Sequence, residues 1–166
     1  MTVTLREVRE EDLPVFFEQQ LDAEARRMAA FPGRDREHFM AHWAKSLGDE
    51  TAILNTIVAD AKVAGNIVYW EEAGERKVGY WLGRAHWGKG IASAALAQFL
   101  PRIKVRPVYA RVAKHNLASI RVLQKCGFQI TGEDTYCGVD GAVGEELIMQ
   151  LRSDDGTTVG SDPLKT

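Results

Sequence analysis

Cysteine is scarce: Cys126 and Cys137 are the only two thiols in 166 residues. They make neither a metal cluster nor a disulfide framework, so both read as reduced packing residues of a cytoplasmic protein. Long apolar runs are missing too, and none approaches the ~20 residues that cross a bilayer. Residues 1–11 mix charges with apolar side chains and so lack the core of a signal peptide. Net charge is nearly absent, since 21 Lys and Arg against 23 Asp and Glu leave −2. That gives no global field to hold nucleic acid or an anionic membrane, and neither is expected as a partner. No internal repeat and no second domain are evident. Residues 1–152 read as one domain, and 153–166, SDDGTTVGSDPLKT, as a loose tail with almost nothing to bury.

What is present is the balance of an ordinary globular chain, 45% hydrophobic and 27% charged, long enough to bury one sizeable core. Residues 2–8 alternate apolar and polar, which suits a half-buried strand. Asp12 then caps a helix whose first turn holds Pro14, where the missing N–H does no harm. A short helix follows over 22–30, and another over 34–47 sets Phe39, Trp43 and Leu47 on one face. The texture turns β-rich at 51–59 and 63–70, a hairpin about DAKVAG, and EEAGER leads to a strand over 77–82. A helix over 89–103, a strand over 108–112, a helix over 116–125 and strands over 128–137 and 145–151 complete the order. Early hairpins and a central strand–helix–strand unit predict an α+β chain, a mixed three-layer α/β/α sandwich.

The stretch GRAHWGKGIASAAL, residues 83–96, sets glycines directly before a helix. Small residues let successive N–H groups converge on a phosphate, and the helix start adds partial positive charge. A nucleotide P-loop would read Gly83, Gly88 and Lys89, but Gly90 stands where a Ser or Thr should hold Mg²⁺. A dinucleotide fingerprint would need a third glycine at Ser93 and an acid near Arg111. A plain helix N-terminus with turn glycines is the bland alternative.

WGKGIA after VGYWLG resembles motif A of the GNAT acetyltransferases, [QR]-x-x-G-x-[GA], with Gly90 and Ala92 in the small-residue places. Trp87 takes the Gln/Arg place, as is typical of the RimJ/RimL-like branch. NLASIRVLQKCGF, residues 116–128, resembles motif B, and the likeness extends over 63–151. The resemblance implies the GNAT acyl-CoA N-acyltransferase fold, with a central, mostly antiparallel sheet splayed between its fourth and fifth strands. It also implies transfer from acetyl-CoA, without a metal, to a primary amine by direct attack in a ternary complex. Leu82, Trp87, Gly88, Lys89, Gly90, Ile91, Ala92, Ser93 and Asn116 would then meet the coenzyme, with an oxyanion donor at the Leu82 amide; Asn116 is also placed to cap the helix that follows it. Ser119 is the candidate proton donor to the leaving thiolate, or else a local helix residue.

Glu72 is the candidate base acting through water, with a solvated turn pair, Glu71 and Glu72, as its alternative. His86 and His115 border the two motifs; His38 and His42 stand four apart without a third ligand, so a metal is discounted. Lys77 stands where that branch often carries an acid before GYW. Trp70, Tyr80 and Trp81 read as core or pocket wall. The loops at 22–36 and 137–144 would decide the acceptor, and exposed strand edges allow a homodimer. The rival of another class is a GNAT-fold module that senses acyl-CoA or a partner and transfers nothing.

Overall fold

Two-residue turns organise the first half of the sheet. Asp60 and Ala61 turn with φ of 48° and 68°, and Ala73 and Gly74 with φ of 52° and 79°. Positive φ at both central positions matches the right-handed twist of the flanking strands, so the hairpins are tight. They join β2 (Ile53–Ala59), β3 (Lys62–Glu72) and β4 (Glu75–Leu82). The EEAGER segment is therefore mostly strand, with Glu71 opposite Arg76 and Glu72 opposite Glu75. The computed structural model describes residues 1–137 and 143–152. The 153–166 tail and the centre of the 137–144 loop lie outside those residues.

With β1 (Val3–Glu7), β5 (Val108–Ala113), β6 (Gln129–Cys137) and β7 (Val143–Leu151), the described strands form one sheet in the order β1-β2-β3-β4-β5-β7-β6. Every neighbouring pair is antiparallel except β4 and β5, which run parallel and share a single register pair, Lys77 with Tyr109. Beyond that pair the two strands part, and the splay implied by the resemblance falls between the fourth and fifth strands. The fold is α+β, a mixed sheet with one parallel pair, as the resemblance implies.

Helices cover both faces. α1 (Leu13–Gln20) and α3 (Arg36–Leu47) pack a core of Leu13, Phe16, Phe17, Phe39 and Trp43 against one face. α4 (Ile91–Phe99) and α5 (Leu117–Lys125) build the larger core on the other, around Ile67, Ile91, Leu96, Phe99 and Val108. α2 (Ala23–Ala29) bridges toward the splay, capped by Asp22 accepting from the Ala25 amide. Removing such apolar area from water contributes roughly 25 cal/mol per Å².

Several expectations change. Asp12 does not cap α1; its carboxylate takes the Arg9 amide of the preceding 3-10 turn, Arg6 at 2.7 and 2.9 Å, and the Thr56 hydroxyl at 2.7 Å. Leu47 is 45% exposed although Phe39 and Trp43 are buried; it is the last residue of α3, next to the Gly48 cap. The helix expected over 89–103 starts only after left-handed Gly90 and tightens into a 3-10 turn at Leu100–Arg102, where Pro101 has no N–H to continue the ladder. Cys126 packs against the larger core, but Cys137 is exposed at the end of β6, so only one of the two thiols is a packing residue.

Candidate active site

The chain after β4 makes a 3-10 turn at Arg84–His86 and then two glycines in the left-handed region, Gly88 at φ 72° and Gly90 at φ 78°. A Cβ at either would meet nothing within 4 Å, so backbone conformation and not crowding selects glycine, and their faces stay open to a ligand. Gly90 is the N-cap of α4 and offers no side chain to its first turn. The first-turn amides of Ile91, Ala92 and Ser93 therefore have no partner within the helix, and with the helix dipole they suit an anion.

A cavity of about 280 Å³ opens on this turn. Leu82, Trp87, Gly88, Gly90, Ile91, Ala92, Ser93, Asn116 and Ser119 all line it, and α2 closes it with Ala25, Met28 and Ala29. Of the residues named for coenzyme contact, Lys89 alone does not line the cavity; it is exposed, beside His86. The His86 imidazole is held below its ordinary pKa by burial, then by Lys89 and Lys62. The Trp87 indole turns back to donate to the Leu82 carbonyl at 3.1 Å, which pins the loop to the strand end.

The Gly83 amide donates to Ala64 at 2.9 Å. Strand alternation then turns the amide of Leu82, one residue earlier, toward the opposite edge, where β5 has already departed. Asn116 caps α5, its Oδ1 accepting from the Ser119 amide at 3.3 Å. His115 ties α5 to α2 through the Arg27 carbonyl at 2.7 Å.

Ser119 is not alone. Its Oγ lies 2.8 Å from the Tyr80 hydroxyl, and Tyr80 lines both this cavity and a second one. Burial raises the Tyr80 pKa, with the Ser119 hydrogen bond pulling the other way, so the phenol stays protonated and available as a donor at neutral pH. Sequence reasoning took Tyr80 for pocket wall. The only signal was its place two residues before Leu82, on the strand face shared with Leu82.

The second cavity, about 720 Å³, lies on the α1–α3 side of the sheet. Trp81 borders it, donating to the Gln19 carbonyl at 3.2 Å and stacking edge-on against Phe31 with centroids 5.9 Å apart. Glu72 lines this cavity and not the first. Its carboxylate meets Lys77 at 3.0 Å, and that hydrogen bond, then one from Trp70, holds its pKa below the ordinary value. His38 pairs with Asp35, whereas His42 borders the second cavity. No described helix is long and apolar enough to cross a membrane.

The sequence profile of the family described as Acetyltransferase (GNAT) domain matches residues 2–129. An uncharacterized N-acetyltransferase, p20, from Bacillus licheniformis is 36% identical over 66 residues, and the match spans about 37% of the length of each chain. The fold is similar to a phosphinothricin acetyltransferase from Sinorhizobium meliloti solved in complex with AcCoA. That similarity has a TM-score of 0.80 at 21% identity over 96% of this chain and 92% of that one. RimJ of Mycobacterium smegmatis, in complex with CoA-disulfide, is similar at a TM-score of 0.73 and 24% identity, over 92% and 83% of the two chains.

Proposed function

We propose that the chain, which belongs to the GNAT acetyltransferase family, is an acetyl-CoA-dependent acyltransferase that transfers acetyl to a primary amine. Both substrates are held at once, with no covalent enzyme intermediate. The observation that carries this reading is the hydroxyl pair of Tyr80 and Ser119, 2.8 Å apart in the splay where the two cavities meet. The smaller cavity takes the coenzyme and the larger one the amine. Trp87 in the motif A place, as noted in the sequence, supports the RimJ/RimL-like branch.

In this reading the amides at Gly88–Ser93 hold the coenzyme's pyrophosphate, and Lys89 adds charge from the rim. The open faces of Gly88 and Gly90 and the unpaired first turn of α4 fit that group. Asn116 contacts the coenzyme with what its capping bond leaves free. The Leu82 amide donates to the oxygen that becomes negative as the amine attacks. Tyr80, relayed through Ser119, gives a proton to the departing sulfur, and holding the partners in place lowers much of the barrier. Glu72 receives the amine's proton through water. Its pairing with Lys77 keeps it ionised and makes it a weak base, so its share is the smallest.

Thiol release from acetyl-CoA against a panel of primary amines tests the reading. Release that depends on the amine supports it. Coenzyme binding with no release from any amine overturns it in favour of an acyl-CoA sensor.

A further inference from the structure

The larger cavity is walled by flat rings, among them Phe31, Phe39, Trp43, Trp70 and Trp81. Charges of both signs stand on its rim, but they are not equivalent. Glu72 is paired with Lys77, Glu71 accepts from the Tyr69 hydroxyl at 2.9 Å, and Asp49 accepts from the Thr51 amide and hydroxyl. All three carboxylates are already answered by protein. The cations are not. The Arg34 guanidinium lies 5.1 Å over the Phe31 ring and makes no ion pair with a described residue. Among the described residues, Lys45 acts on Asp49 only through space and His42 has no acidic partner. Burial and then the charges of Arg34 and Lys45 depress the His42 pKa, which sets the three groups within reach of one another.

The floor adds a polar group to these cations. Asn66 is 9% exposed on β3, opposite Trp81 in register, and lines this cavity. Its side-chain amide has no hydrogen-bond partner among the described residues. Its nitrogen and oxygen are not sealed from the cavity, so both stay open to a bound polar group. The position also fits the chemistry, because Arg34 stacks on Phe31 and Phe31 on Trp81, which continues β4 beside Tyr80. One aromatic body thus separates the free cation from the reacting end.

We infer that the acceptor is an aromatic amine carrying a carboxylate or similar anionic group, with the anion at Arg34, the ring among the tryptophans and a polar atom on Asn66. This rests on the acetyl-transfer reading and on the larger cavity holding the amine.

Thiol release by the full chain is measured with 4-(aminomethyl)benzoate, its uncharged amide 4-(aminomethyl)benzamide, and spermidine as a cationic amine. The benzoate should exceed the benzamide at least tenfold in kcat/KM, mainly through KM, and exceed spermidine by more. Arg34→Gln should erase most of that preference, and Arg34→Lys should restore part of it. The loop survives these changes because Gln20 holds the Arg34 main chain, at 2.7 Å to its carbonyl and 3.2 Å from its amide. Equal rates for benzoate and benzamide, a preference for spermidine, or an Arg34→Gln variant that keeps the preference would each overturn the anionic class while leaving acetyl transfer standing. No release with any of the three amines would overturn this inference, and release with another amine of the panel would leave acetyl transfer standing.

Discussion

Tyr80 and Ser119 share one proton position between two hydroxyls, and whichever donates depends on what approaches the pair. If they act as a unit, the losses from Tyr80→Phe and Ser119→Ala do not add. Each single change should lower kcat by about 10²-fold, the lower end for a lost proton donor, and the double variant should fall little further. Steady-state kinetics on the three variants checks this; additive losses would mean independent roles. Asp12 offers a stability test at the same scale. Burial alone would raise its pKa, yet Arg6, Thr56 and the Arg9 amide together hold it at about 2. A lowered carboxylate stabilises the fold at pH above its ordinary value of 3.8, and that contribution fades as pH falls toward 2. Asp12→Asn should therefore cost about 2 kcal/mol or more at neutral pH, and its denaturation midpoint should converge on that of the unchanged protein in acid.

Strands and helices were the most legible features, because each rests on local chemistry. Alternation marked β1, the turn at DAKVAG marked the β2–β3 hairpin, and spacing of four set Phe39 and Trp43 on the buried face of α3. The ends misread were those set by contacts between elements. Asp12 looked like a helix cap because its partner Thr56 stands 44 residues away. The glycine turn and Asn116 were also readable, since they carry local backbone geometry. Tyr80 was not, because its partner lies 39 residues away across the splay, and the Arg34–Phe31–Trp81 stack was hidden for the same reason. One glycine was passed over although the sheet depends on it. A Cβ on Gly65 would fall 1.9 Å from the Trp81 carbonyl oxygen, which is main chain and cannot swing aside. Gly65→Ala should destabilise the fold by about 1–3 kcal/mol or more and displace the end of β4. Thermal unfolding would register the first effect, and acetyl-CoA affinity the second.

At the scale of the whole molecule, two cores lie on opposite faces of a sheet whose halves meet at one register pair. A ligand spanning that junction contacts both halves, so binding should report on global stability. At a hundredfold excess over Kd, acetyl-CoA should stabilise the folded state by about 2.7 kcal/mol, which for a chain of this size raises Tm by roughly 5–10 °C. Differential scanning calorimetry with coenzyme against ADP would check this, and an equal shift from both would confine the interaction to the nucleotide end.

The parting of β4 from β5 gives the sheet two internal borders, and a border is where solvent deuterium enters. Amides of Tyr80 and Leu82 face the opening while those of Gly79 and Trp81 are turned toward β3. Adjacent positions along β4 should thus exchange at alternately fast and slow rates in the isolated chain. A pantetheine arm lying in the opening would slow the fast positions alone, and residue-resolved exchange would then trace the substrate's path one peptide group at a time.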